Sequence, residues 1–340
     1  MAIDISKVSY RLKIILPNGR EIIIDELINE MKLDENENEM SARLRVNMKN
    51  IKLSDGWIHQ HVYLAKRLVL FATDGNGWSE VFRGSVYKWI YEGKDSTIDF
   101  TIYDSLYNVQ KSKRHYYCKK GETAATTIRN AAGNWPGVSV GRIEGPNVGL
   151  AQKPYTSGTI GDMIIERLEE SKKKGTGRYV IRDEKGKLNC IKEGSNTRVF
   201  ILTGDLVEAS SDEHSIENLV TRVRVYGTDE KNETATVQAT KDGQTKFGII
   251  QEVVYSSSYD SLSDARKAAD EILEEKGKPE IVRTIIAPDI PWIRKGDRVD
   301  VSAGSIGKFV NGRYEPVACI VKSISRDMFT GKMTLTLRGD

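Results

Sequence analysis

The sequence predicts an α+β fold that is mostly β, with two similar small β modules flanking an α+β middle region. Three observations predict it. Residues 40–49 and 219–226 alternate their side chains with a period of two, as strands do. Helical spacing of apolar residues is confined to three short stretches beyond residue 107. Two segments 235 residues apart carry the same succession of turn and strands.

The first hundred residues read as antiparallel β. Leu12, Ile14 and Leu16 alternate with Lys13 and Ile15, and Pro17-Asn18-Gly19 turns the chain into 21–25. Met40, Ala42, Leu44, Val46 and Met48 share one face; Ser41, Arg43, Arg45, Asn47 and Lys49 share the other. One face therefore suits a core, the other water or a partner. Arg67–Thr73 is a strand, Asp74-Gly75-Asn76-Gly77 turns it, and strands at about 78–83, 85–91 and 97–103 follow. Short strands with turns at this spacing suggest a small barrel or sandwich.

The middle changes period. Ala124, Ile128 and Ala131 lie on one helical stripe ahead of Gly133. Thr159 can cap a second helix carrying Ile160, Met163, Ile164 and Leu168. The two lead-ins are alike, Tyr117 with Gly121-Glu122-Thr123 and Tyr155 with Gly158-Thr159, through either a turn-plus-helix repeat or shared capping chemistry. Residues 179–182 and 187–191 read as a hairpin about Asp183-Glu184-Lys185-Gly186. Strands then return. Leu219, Thr221, Val223 and Val225 alternate with Val220, Arg222, Arg224 and Tyr226, and one helix is expected at about 263–276, closed by Gly277 and Pro279. The expected domains are 1–106 and 206–340, each a β module, with 107–205 between them.

Length and composition exclude several classes. A chain of 340 residues suggests two or three domains. Lys+Arg of 51 against Asp+Glu of 48 offers no global attraction for nucleic acid or an anionic membrane. Cys118, Cys190 and Cys319 are odd in number and far apart, which argues against a disulfide framework and for a reducing compartment. The first twenty residues hold no apolar run suited to a signal or a span, so folding in a cytoplasm is expected.

The repeat is the most specific signal. Aligning Gly77 with Gly312 matches Asn76-Gly77 to Asn311-Gly312 and Glu80 to Glu315 without a gap. Phe82, Val86 and Trp89 then meet Val317, Val321 and Ile324, and Ile98, Phe100 and Ile102 meet Met333, Leu335 and Leu337. Upstream, Leu68-Val69-Leu70 answers to Arg298-Val299-Asp300. Units this far apart are not a solenoid but two copies of one small domain. Three such chains present six similar modules about one axis, and heterologous contacts that close make rings.

Catalytic signatures are weak. Gly175-Thr176-Gly177 lacks a third glycine at Val180. His59 and His61 share a face if their segment is a strand, but no third ligand is indicated. The turn at Asp74 has Ser85 where a calcium loop needs an acid. Ser305 sits in a glycine-flanked stretch that continues as a strand, whereas a nucleophile elbow needs a helix. Glu166, Glu169 and Glu170 have lysines after them and read as a solvated face. No catalytic residue, metal or cofactor is expected. Tyr87, Trp89 and Tyr91 share the face opposite Val86, Lys88 and Ile90, as either a subunit interface or one side of a core. Arg43, Arg45 and Lys49 are further interface candidates, facing a lumen or a neighbouring subunit.

Residues 81–106, with Phe82, Gly84, Val86 and the terminal Asp104, resemble the end of the first tube domain in phage late control protein D and contractile-tail hub proteins. The segment from Gly121-Glu122-Thr123, residues 155–168, IRDEKGKL at 181–188 and IRKGDRVDV at 293–301 resemble, in that order, the hub subunit of PBSX-type defective prophages and R-type bacteriocins. The resemblance implies two tube-type β-barrel domains and a homotrimeric, non-enzymatic baseplate hub of pseudo-sixfold symmetry within a virion or tail-like particle. It implies as partners the tail tube protein, the spike, a tape-measure end and baseplate wedge proteins. DNA would only pass through the lumen, and no membrane is implied. Two other classes stay open: a peptidoglycan-lytic protein of the tail tip, and a β-rich carbohydrate- or nucleic-acid-binding module.

Overall fold

A computed structural model describes residues 3–339 except 55, 94, 95, 134, 230–233, 260, 305, 311 and 312. Ser305, the Asn311-Gly312 turn and the terminal Asp340 thus lie outside the described residues. The chain forms two compact units, one of residues 1–211 with 284–340 and one of residues 212–283.

In the smaller unit, Arg222–Asp229 pairs antiparallel with Thr234–Asp242 and parallel with Gln251–Tyr255. Helix Leu262–Lys276 buries Ala265 and Ala269 in a core with Val220, Val223, Val225 and Val254. The Ser261 hydroxyl accepts from the Asp264 N–H at 3.1 Å, satisfying one of the orphan donors of the first turn. The sequence led to one inserted helix; the insertion brings three strands with it. Alternation fixes which residues face a core but not which sheet the strand joins.

The larger unit is built on one 13-stranded sheet. Its order begins Ala209–Ser215, Glu280–Pro288, Lys332–Gly339, Val317–Asp327 and continues Ile28–Glu35, Arg43–Lys49, Thr97–Tyr103, Ser79–Glu92, Arg67–Thr73, Ser9–Ile15, Glu21–Ile23. Arg298–Ser302 pairs with Val317–Asp327 and carries Phe200–Thr203. The first module closes over Leu12, Leu44, Met48, Leu70, Phe100 and Ile102; Met40 alone of the expected face joins the middle region's core instead. The second closes over Ile285, Val299, Val301, Val321, Leu335 and Leu337.

The repeat holds at the level of individual pairs. Val86 faces Ile102, and 235 residues on Val321 faces Leu337. Both pairings then slip by one residue, between Val86 and Lys88 and between Val321 and Ser323, and resume as Trp89 with Phe100 and Ile324 with Leu335. The strands expected at 78–83 and 85–91 are therefore one strand, Ser79–Glu92, with a bulge inside it. Five strands run in the same order in each module: Ile28–Glu35, Arg43–Lys49, Thr97–Tyr103, Ser79–Glu92, Arg67–Thr73 against Ala209–Ser215, Glu280–Pro288, Lys332–Gly339, Val317–Asp327, Arg298–Ser302. The upstream match needs a correction. Leu68 faces Gly84 and Val299 faces Cys319, so Leu68-Val69-Leu70 answers to 299–301, not 298–300. The shift puts the buried residues Leu68 and Leu70 level with Val299 and Val301.

The approach to this strand also repeats. Ala65 donates to the Val86 carbonyl and Gly296 to that of Val321, both at 2.8 Å. Each is left-handed, with φ of 64° and 85°. A Cβ on Gly296 would stand 2.4 Å from Val180 Cγ1. Gly296→Ala is therefore expected to cost about 2–4 kcal/mol, combining left-handed strain with overpacking. Ala65→Gly, relieving the same strain, should change stability by less than about 1 kcal/mol. Urea midpoints of the two variants check this; equal losses would overturn it.

In the middle region, helices Ala124–Ala131 and Ile160–Lys172 start at Thr123 and Thr159, whose hydroxyls accept from the N–H of Thr126 and Asp162 at 3.1 and 3.0 Å. Ile128, Ile160, Met163 and Ile164 pack on Leu188 and Cys190 of the hairpin Tyr179–Glu184, Lys187–Lys192.

Candidate assembly interface

The two modules meet edge to edge within the chain. The second half of Val317–Asp327 pairs antiparallel with Ile28–Glu35, from Ile324 opposite Glu35 to Asp327 opposite Lys32. Side chains fasten the seam. Ser325 donates to Asp34 at 2.7 Å, Lys32 meets Asp327 at 3.6 Å, and Lys322 meets Glu37 at 3.0 Å.

A loop of the second module, 293–297, locks the seam to the middle region. Arg294 donates to Glu35 at 2.6 Å and to the Asp183 carbonyl at 3.2 Å. Lys295 donates to the carbonyls of Asn36, at 3.1 Å, and Glu39. Arg182 meets Asp297 at 2.7 Å, which joins the 181–188 and 293–301 stretches directly. Glu35, Lys295 and Asp297 are buried and Arg182 and Arg294 largely so, and charge balance therefore decides their state. Burial raises the Glu35 carboxyl, but Arg294, then Arg326 and Lys295, bring it below its usual value. Burial pushes the Lys295 ammonium down to about 8.

Asp104 ends the first module. It accepts from the N–H of Ala42 at 2.8 Å and of Leu106 at 3.0 Å. Burial first, and the Asp183 charge second, push its carboxyl up to about 7. A raised folded pKa means that the native state holds the proton more tightly than the unfolded chain. Stability from this group is complete below pH of about 4 and is lost as pH rises toward 7. Asp104→Asn should therefore flatten the stability profile between those limits; urea midpoints with an unchanged acid-to-neutral slope would refute the assignment.

The first module has the same strand end without the same cover. Among the described residues, no strand pairs with the far half of Ser79–Glu92 on the side away from Thr97–Tyr103. Arg326 is 1% exposed, whereas its counterpart Tyr91 is 44% exposed and the neighbouring Ile90 40%. Tyr91 stacks on Trp89 at 6.4 Å between centroids, His59 lies 5.8 Å from Tyr91, and Tyr63 meets Trp89 edge-on at 5.4 Å. Exposed aromatic clusters of this kind mark contact surfaces.

The expected aromatic stripe is split. Trp89 and Tyr91 face Phe100 and Ile98, on the core side. Tyr87 lies across the bulge and packs edge-on against Tyr103 and Tyr107. One extra residue reverses the alternation, and period counting cannot detect it. Arg43 and Arg45 both meet Asp34, at 3.2 and 2.8 Å, so they serve the seam's own strand; Lys49 is exposed. Sequence reasoning missed Glu35, Arg294, Lys295 and Arg326, although IRKGDRVDV had drawn attention to that loop.

The other candidates are placed as follows. His59 and His61 lie on a short helix, Ile58–His61, rather than a strand, and His59 contacts Asn50 at 3.2 Å. Glu166, Glu169 and Glu170 are ion-paired with Lys153, Lys172 and Arg167. No group of three metal-ligating side chains occurs among the described residues. No helix there is long and apolar enough to cross a membrane.

A family model described as YQBQ-like matches residues 24–338. The phage-like element PBSX protein XkdQ of Bacillus subtilis strain 168 is 28% identical over 245 residues, 70% of this chain and 72% of that one. The tail protein from Neisseria meningitidis MC58 shares the fold with a TM-score of 0.69 at 14% identity, over 98% of this chain and 97% of that chain. The 43 kDa tail protein of prophage MuSo2 from Shewanella oneidensis does so with a TM-score of 0.66 at 12% identity, over 97% and 98%. The resemblance to PBSX-type tail proteins read from the residues is borne out.

Proposed function

This chain belongs to the YQBQ-like family, and from that premise we propose that it is a non-enzymatic hub subunit of a phage-type tail baseplate. Three copies form a ring of six similar modules that joins the tail tube to the spike. The ring also meets the tape-measure end and the baseplate wedges, and Lys49 and the far half of Ser79–Glu92 belong to its contact surfaces. The chain's domains in this reading are tube-type modules in 1–106 and 206–340 about the region 107–205, with residues 212–283 inserted in the sequence of the second.

The observation that carries the reading is the repeated register, bulge included, of Ser79–Glu92 on Thr97–Tyr103 and Val317–Asp327 on Lys332–Gly339. A chain with two like modules converts threefold into near-sixfold symmetry, which matches a sixfold tube. The PBSX relative supports the setting. Electron cryo-microscopy of purified particles should find three copies in one ring between tube and spike. One copy per particle, or a position outside that junction, overturns the proposal. A clearing band from the purified chain on a peptidoglycan zymogram would overturn its non-enzymatic part.

A further inference from the structure

We infer that the chain modifies itself at a turn of its first module: Asn76 loses its side-chain amide to the backbone nitrogen of Gly77, whereas Asn18, in the same dipeptide, is held back from that step. Two of the chain's Asn-Gly pairs lie among the described residues, Asn18-Gly19 and Asn76-Gly77. Asparagine is a labile residue, and a glycine after it has no Cβ to shield the nitrogen that attacks. The Gly77 nitrogen bonds to Asn76 Cγ, the Cγ–Nδ2 bond breaks, and the Gly77 proton leaves with the amide as ammonia. Water, the one co-reactant, then opens the cyclic imide at either carbonyl. One opening leaves an aspartate in the normal backbone; the other routes the backbone through the side chain.

Solvent access does not separate the two pairs. Both asparagines and both glycines are exposed, Gly19 and Gly77 have positive φ of 79° and 125°, and a Cβ on either would meet nothing within 4 Å. Hydrogen bonding does separate them. The Gly19 N–H donates to the Leu16 carbonyl at 2.9 Å, and the Asn18 side-chain oxygen accepts from the Arg20 N–H at 3.0 Å. The Leu16 N–H donates back to the Arg20 carbonyl at 2.9 Å, so this hairpin is closed from both sides. The attacking nitrogen and the group it would attack are each fixed, and joining them requires the turn to open. Giving up two hydrogen bonds of ordinary strength slows the step about tenfold or more. At the other turn, the Gly77 N–H makes no hydrogen bond among the described residues. The Asn76 side chain is held through its amide nitrogen, which donates to Asp74 at 3.2 Å and departs in the reaction. This turn joins Arg67–Thr73 to Ser79–Glu92 where their pairing ends at Ala72 and Ser79. Each conversion therefore places a new carboxylate beside Asp74 at the end of that pairing.

The test incubates the full folded chain in heavy-oxygen water at mildly alkaline pH and follows each Asn-Gly peptide by mass. Asn76 should exchange its amide for a heavy oxygen about tenfold or more faster than Asn18. Part of the product should accept a methyl group from an isoaspartyl methyltransferase. In urea, where neither turn persists, the two sites should convert at similar rates. Asn76→Gln should lose both the label and the methyl acceptance at its peptide. Equal rates in the folded chain, or label at Asn18 ahead of Asn76, would overturn the inference. So would an unlabelled Asn76 in a folded chain whose two sites both convert in urea. A gap that persists unchanged in urea would also overturn it, because neighbouring residues rather than the fold would then set the rates.

Discussion

Arg294→Ala is expected to destabilise the larger unit by about 3–5 kcal/mol, because it leaves a buried carboxylate without its cation. Glu35 is 2% exposed and sits 2.6 Å from the Arg294 guanidinium. Lys295 cannot take over, since its ammonium is bonded to the carbonyls of Asn36 and Glu39. The same truncation removes the donor to the Asp183 carbonyl. The pH signature follows from Glu35. In the native chain its carboxyl is held below the usual value, so its stabilisation is present above the unfolded pKa of about 4.3 and is lost as pH falls through the folded one. In the variant, burial acts without Arg294, and the charged form carries a penalty. The gap between native and variant should thus be widest at neutral pH and narrow toward pH of about 4. The double change Arg294→Met with Glu35→Gln should recover much of the loss, as replacing both members of a buried pair usually does. Denaturant titrations from acid to neutral pH measure this; a single-variant loss below about 1 kcal/mol, or a gap constant with pH, would count against it.

Arg326→Met should cost a similar amount, about 3–5 kcal/mol, for a related reason. The Arg326 guanidinium donates to Asp289 at 2.7 Å, to the Ile290 carbonyl at 2.9 Å and to the Ile293 carbonyl. Both charged residues are 1% exposed. After substitution, Asp289 keeps only the Tyr10 hydroxyl among the side-chain donors named for it, and two carbonyls lose theirs. Burial and the Asp289 charge raise the Tyr10 phenol well above its usual value, so it remains a donor and cannot supply positive charge. Tyr91→Met at the matching position of the first module should cost the free chain less than about 1 kcal/mol, because little covers that ring. Thermal melts of both variants as free chains give the comparison. Equal losses would mean that the two strand ends are equally enclosed, contrary to their exposures.

Local chemistry was legible in the residues. The period of two placed Leu44, Val46 and Met48 in a core, and all three are buried. Thr123 and Thr159 cap helices because a β-branched hydroxyl before an apolar stripe supplies the acceptor that the first turn lacks. The match at 235 residues was legible because a duplicated hairpin keeps its spacing even after its side chains diverge. The aromatic stripe was legible only up to the bulge.

Sequence alone determined where the capped helices begin, which faces of the first module's strands are apolar, and that one hairpin occurs twice, since each depends on neighbours a few positions away or on spacing kept along the chain. Tertiary structure decided the rest. It drew residues 222–226 of the expected 219–226 strand into the sheet of a separate unit, although their alternation matches that of the module strands. It moved the upstream match from 298 to 299, since only the partner strand defines register. It spent Arg43 and Arg45 on Asp34, and it buried Arg294 against Glu35 across 259 residues of chain. Periodicity records how a side chain is directed, whereas enclosure and charge pairing depend on what arrives from far along the chain.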